Sequence, residues 1–294
     1  MHRSNDLQFS AAHLSTGPRL HYAERGDRRG EAVIFLHAYA DSWFWFSRVL
    51  PLLSHEDHAL VPDQRGHGGS DKPECCYTTD DFAADVDAFM DAVGIEKATL
   101  VGHSSGGLIA QRVALDYPHR VGRLVLIGAP TTLLTNEAVA KAEEKMLALE
   151  DPIPPEFVRG FVGSTIHHPV PEEFLAGAVS ESLKVPARVW RDYWEGVLLE
   201  ADDTARLGEI GAPTLILWGE RDALLPREEQ ERRTEAIPDA SLQVYPDTGH
   251  AVAGERPEWV ARDLKAFTRG TPPAQPRATH PVAEFAKHPF HAPG

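Results

Sequence analysis

The sequence is poor in cysteine, in positive charge and in long apolar runs. Of 294 residues only two are cysteines, Cys75 and Cys76. Being adjacent they cannot staple distant segments, and they lack the spacing of a zinc or CxxC site. Lysine and arginine number 29 against 44 aspartates and glutamates, a net charge of −15. Binding to nucleic acid or to an anionic membrane relies on clustered positive charge, so neither is expected as a partner. No stretch of twenty consecutive apolar residues occurs, and Met1-His2-Arg3-Ser4-Asn5-Asp6 leads into no apolar segment. Neither a transmembrane helix nor a secretory signal is read here, and a reducing, cytoplasmic location is the expectation.

What is present is the balance of a globular chain with a substantial core, 42% hydrophobic and 25% charged. The 15 histidines invite a metal reading. No HExxH pair or Cys/His quartet supports it, and neither a Walker A segment nor a G-x-G-x-x-G fingerprint is present. His167-His168 and the late histidines His280, His288 and His291 read as solvated.

Short apolar runs alternate with amphipathic stretches through the first half. Ala32–Leu36, His58–Val61, Ala98–Val101 and Val121–Ile127 read as strands. Helical spacing is read over Ser42–Leu53 (Trp45, Val49, Leu52, Leu53), over Asp80–Val93 (Phe82, Val86, Phe89, Met90, Val93) and over Leu108–Leu115. Such alternation implies parallel strands joined by crossover helices, an α/β sheet with helices on both faces. From about Thr131 to Leu207 the rhythm breaks into helix formers punctuated by Pro152, Pro154, Pro155, Pro171 and Pro186, which reads as an inserted helical cap over 131–207. The α/β pattern resumes with Thr214–Trp218, a helix from Pro226 to Ala236, a strand Ser241–Tyr245 and a helix from Pro257 to Phe267, so 1–130 and 208–270 are expected to build one sheet. Residues 271–294 are dense in proline and read as an extended tail.

Gly102-His103-Ser104-Ser105-Gly106 matches G-x-S-x-G between a strand and a helix. A turn that tight brings side chains two residues to either side against the neighbouring strand and helix, hence glycine at both places. The same reasoning sets the register: Ser104 is the nucleophile and Ser105 supplies a backbone N–H. A serine hydroxyl needs a base to take its proton, and the base needs a carboxylate to hold its tautomer. Gly219-Glu220-Arg221-Asp222 and Thr248-Gly249-His250 offer both, in the order nucleophile, acid, base. Asp247, three residues before His250, is a second candidate acid. Asp222 is preferred because a residue on the preceding strand's loop can reach the Nδ1 side of the imidazole while Ser104 keeps the other nitrogen.

On these residues the sequence resembles the α/β-hydrolase superfamily from about Leu20 to Phe267. The match includes Leu36-His37-Ala38-Tyr39 and the segment Asp63-Gln64-Arg65-Gly66-His67-Gly68-Gly69-Ser70-Asp71 as well as the elbow, the Gly-x-x-Asp segment and Gly249-His250. The resemblance implies the α/β-hydrolase fold, a mostly parallel sheet with a helical cap, and a catalytic triad of Ser104, Asp222 and His250. Its oxyanion hole would use the N–H groups of Ser105 and Tyr39. The family usually carries His-Gly where this chain has His37-Ala38. His37, Asp63 and Arg65 read as loop-shaping residues rather than catalysts. Trp43, Phe44, Trp190 and Trp194, with His103 and Tyr39, are expected to line an apolar pocket under the cap.

The expected function is a serine hydrolase acting on a small-molecule ester or lactone of apolar character through an acyl-enzyme, with no cofactor and no metal. Epoxide hydrolases and haloalkane dehalogenases resemble the chain but place aspartate at the elbow. Carbon–carbon bond hydrolases tend to have Trp after the catalytic histidine, where Ala251 stands, and cofactor-free perhydrolases a Pro in the oxyanion loop that is missing here. Two alternatives stay open: carbon–carbon bond hydrolysis, and a ligand-binding or receptor-type protein on the same fold with little turnover.

Overall fold

The computed structural model describes residues 7–270, so the Pro-rich segment 271–294 and its histidines lie outside the described residues. Eight strands form one sheet: β1 (Gln8–His13), β2 (Arg19–Gly26), β3 (Ala32–Leu36), β4 (His58–Pro62), β5 (Ala98–His103), β6 (Val121–Ile127), β7 (Thr214–Gly219) and β8 (Ala240–Tyr245). Their order is β1-β2-β4-β3-β5-β6-β7-β8. Strands β3 to β8 pair in parallel, and β1 and β2 join antiparallel at one edge. Every residue of β4, β5 and β7 is buried. Apolar runs without alternation are what a strand covered on both faces requires.

β1 and β2 are not evident in the sequence. Arg19-Leu20-His21-Tyr22-Ala23-Glu24-Arg25-Gly26 alternates poorly, and its buried Glu24 is accommodated only because His58 and Arg28 reach its carboxylate. The helix read over Ser42–Leu53 is corrected to two 3-10 turns, Trp43–Phe46 and Leu50–Leu52. Pro51 cannot donate the N–H that a continuous α-helix needs there, yet Phe46, Val49 and Leu50 still bury themselves in the core.

Helices α1 (Thr79–Ala92) and α2 (Ser105–Asp116) follow β4 and β5. Thr78 and Asp81 close a reciprocal capping box that starts α1. Between β6 and β7 the chain leaves the sheet for α3 (Glu137–Leu147), α4 (Pro155–Ser164), α5 (Glu172–Ser182), α6 (Ala187–Tyr193) and a π-helical turn, Trp194–Leu198. A single bridge, Thr132 to Asp202, pins the two ends of this excursion together. Helices α7 (Arg227–Ala236), α8 (Val252–Glu255) and α9 (Pro257–Thr268) complete the chain. Cys75 and Cys76 are joined to each other in a disulfide and link no other segments. Among the described residues no helix is long and apolar enough to cross a membrane.

Candidate active site

Parallel strands gather their functional groups at their carboxyl ends, and His37, Asp63, Ser104, Asp222 and His250 all stand just past strand ends. Ser104 sits between β5 and α2 with φ 50° and ψ −124°, a conformation that an L-residue rarely adopts. The flanking glycines permit it. A Cβ on Gly102 would lie 2.5 Å from the Gly106 carbonyl oxygen, and one on Gly106 would lie 2.3 Å from that of Leu36. The elbow therefore excludes any larger residue at either position, and it aims the Ser104 side chain outward at the start of α2.

Ser104 Oγ stands 2.9 Å from His250 Nε2, and His250 Nδ1 stands 2.8 Å from Asp222 Oδ2. A carboxylate can only accept, so it fixes the imidazole proton on Nδ1 and leaves Nε2 free to accept the serine hydroxyl. Asp222 is itself held: its other oxygen accepts the N–H groups of Leu224 and Leu225, and its side chain is fully buried. Burial of His250 works against its protonated form, but the charge and hydrogen bond of Asp222, helped by Glu255, outweigh it and raise the pKa above the ordinary 6.5. Asp247 faces elsewhere. It is exposed, and its carboxylate pairs with His167, His168 and Arg256 rather than with His250. The pair His167-His168, read as solvated, is half-exposed but tied to this carboxylate.

Among the described residues the backbone N–H groups of Tyr39 and Ser105 make no hydrogen bond. Ser105 opens α2, where the first N–H groups of any helix lack partners within it. Ala38 needs none of glycine's freedom: the left-handed residue in this loop is Ala40, at φ 55°. Both side chains beside these N–H groups are anchored to one helix. The Tyr39 hydroxyl donates to the Trp190 carbonyl at 2.8 Å, and the Tyr193 hydroxyl donates to Ser105 Oγ at 3.0 Å. Beneath the loops, His37 Nε2 accepts the Gln64 N–H, Asp63 accepts from Trp43, Gly69 and His21, and Arg65 forks onto Asp85. Those contacts shape loops and leave none of the three side chains facing Ser104.

A cavity of about 340 Å³ opens over Ser104 and His250. Trp194 and His103 line it, as expected. His103 is neutral, its pKa pushed down to about 3 by burial and by the neighbouring His250. Tyr39 lines it as well, whereas the expected Trp43, Phe44 and Trp190 do not. Trp190 is fully buried behind Tyr39, Phe44 stacks on Phe174, and Trp43 packs edge-on against Phe9. The reason is the 3-10 turn: its tighter winding brings Trp45, not its neighbours, over His103, with ring centroids 5.1 Å apart. Residues the sequence did not single out complete the walls, among them Asp41, Phe161, Val139 and Met146. Of these, Val139 and Met146 are apolar positions seven residues apart on α3, the two buried residues of that helix.

A family model described as alpha/beta hydrolase fold matches residues 31–257. The 2-hydroxy-6-oxo-6-phenylhexa-2,4-dienoate hydrolase of Burkholderia cepacia is 30% identical over 262 residues, covering 79% of this chain and 85% of its own. Lipase 3 of Moraxella sp. (strain TA144) is 27% identical over 289 residues, covering 90% and 86%. Among solved structures, an esterase from Exiguobacterium antarcticum superposes with a TM-score of 0.78 at 22% identity, over 89% of this chain and 100% of that one, which speaks to fold alone. With the elbow, the parallel sheet and this match over most of its length, the chain belongs to the alpha/beta hydrolase family.

Proposed function

We propose that the protein is a serine hydrolase of carboxylic esters or lactones, working through an acyl-enzyme. The observation that carries this reading is the hydrogen-bonded series Ser104–His250–Asp222, at 2.9 and 2.8 Å, opening on a mostly apolar cavity. His250 takes the Ser104 proton as Oγ attacks the ester carbonyl, and Asp222 stabilises the imidazolium that forms. The N–H groups of Tyr39 and Ser105 stabilise the oxyanion, and the positive end of α2 adds to them. His250 then protonates the leaving alkoxide, water adds by the reverse sequence, and the acid is released. In this reading residues 131–207 act as a lid on a core of 1–130 and 208–270, and Trp194, Phe161 and the apolar face of α3 hold the apolar part of the substrate.

One observation weighs between this and carbon–carbon bond cleavage. The relative named as a 2-hydroxy-6-oxo-6-phenylhexa-2,4-dienoate hydrolase has an anion as its named substrate, whereas among the described residues no lysine or arginine lines the cavity here. A neutral ester enters such a cavity at lower desolvation cost than a carboxylate. A binding protein with little turnover would have no use for an intact nucleophile, base and acid. The test is a panel of 4-nitrophenyl esters of rising acyl length together with lactones, compared between wild type and Ser104→Ala. Turnover of several members that vanishes in the variant supports the reading; turnover that persists in Ser104→Ala overturns it.

A further inference from the structure

One carboxyl in the cavity wall has no part in the ester chemistry. Asp41, four residues past His37, lines the same cavity as Ser104 and is only 6% exposed. One of its oxygens accepts the Ser42 N–H at 2.8 Å; the other has no partner among the described residues. Beside it comes Glu181 from α5, whose Oε1 pairs with Lys184 while Oε2 is buried without a partner. The aromatic residues Tyr39, Trp45, Phe161 and Trp194 wall the cavity, and among the described residues no lysine or arginine does. An unpaired buried carboxyl among aromatic walls is the arrangement that holds an ammonium group, by a charged hydrogen bond on one side and ring faces on the other. Left empty it is costly, because an isolated carboxylate in a cavity must either find a cation or take up a proton.

We propose that the cavity selects esters bearing a protonated amine, with the ammonium held by Asp41 against the aromatic wall while the ester carbonyl reaches Ser104. This deepens the ester reading and rests on it. Asp41 acts as a specificity-determining residue and takes no part in bond making. Burial drives its pKa well above the ordinary 3.8, helped by the charges of Glu181 and Asp63 and opposed by the Ser42 N–H, so the empty site favours the protonated form more than a free aspartate does. An arriving ammonium reverses that balance, so binding displaces the Asp41 proton to solvent. Substrate carboxylates meet the opposite, since no cation on the wall offsets their charge.

Binding to the Ser104→Ala protein tests this without turnover, so its outcome is separable from that of the ester reading. Calorimetry would compare hexylammonium, hexan-1-ol and hexanoate, three ligands of one chain length. The expected order is ammonium tighter than alcohol by roughly tenfold or more, as a charged hydrogen bond allows, and alcohol tighter than hexanoate. Adding Asp41→Asn, an isosteric change, should bring the ammonium-to-alcohol ratio close to unity while hexan-1-ol still binds. Should that double variant fail to fold, repeating the hexylammonium titration near neutral pH in two buffers of different ionisation enthalpy reads proton release with Asp41 intact. Release of about one proton per ammonium bound supports the proposal. Equal affinity for ammonium and alcohol in Ser104→Ala, or a ratio unchanged by Asp41→Asn, overturns it.

Discussion

At the residue scale, the decisive atoms are the two nitrogens of His250. Asp222 determines which of them carries the proton, so Asp222→Asn keeps the shape but offers a donor where an acceptor is required. It is expected to lower kcat by about ten-thousandfold with little change in KM, read by steady-state kinetics on a neutral ester. The sign of the pH dependence follows from the same pair. His250 must be neutral to accept the serine proton, and its pKa is raised above 6.5 by Asp222. Activity therefore falls as pH drops, with the acid limb of kcat/KM centred above 6.5 in the free enzyme; a limb centred below that value would mean Asp222 does not hold the imidazole as described. Ionised Asp222 favours protonated His250 in the folded state, so this contribution to stability is fully present below the unfolded pKa. It is lost as pH rises through the raised folded one.

At the scale of elements, the site is held from above as well as below. Helix α6 sends Tyr193 to Ser105 and offers the Trp190 carbonyl to Tyr39, so both residues proposed to present oxyanion N–H groups are tied to one helix. Tyr193→Phe removes that hydroxyl and leaves the ring. The expected result is a fall in kcat of between about two- and tenfold, the worth of one hydrogen bond, with KM unchanged. On the opposite side, the buried carboxylate of Glu255 in α8 accepts N–H groups from Gly249, next to His250, and from His167 and His168 between α4 and α5. Glu255→Ala would orphan three donors at once. Denaturant unfolding should show a loss of about 2–3 kcal/mol, with activity lost alongside it because the His250 loop is no longer fixed.

At the scale of the whole molecule, the charge of −15 gains a meaning that composition alone did not carry. A net negative charge of that size draws cations and slows anions at long range. Raising ionic strength should lower kcat/KM for an ammonium-bearing ester and leave that of its neutral isostere nearly unchanged, a comparison that simple rate measurements at two salt concentrations provide. The same scale explains what could be read from sequence. Strands β3 to β7 are buried on both faces and announce themselves as apolar runs, and the elbow announces itself because only glycine fits at 102 and 106. β1 and β2 do not: β1 is a mostly exposed edge strand, and Arg19, Glu24 and Arg25 interrupt any apolar run in β2. The cavity was the least legible part. Its walls come from the loop after β3, the elbow, α3, α4, α5 and the π-turn, and which aromatic of Trp43, Phe44 and Trp45 faces inward depends on a 3-10 turn whose pitch no apolar pattern records.

The central claim is that Ser104 is a nucleophile activated by His250, and a fluorophosphonate tests it most directly because such a reagent captures a serine only when a base has drawn off its proton. Mass spectrometry of the labelled protein should find one adduct, on Ser104, formed quickly in wild type and lost in His250→Ala. Intact, folded protein that carries no adduct on Ser104 would contradict the account.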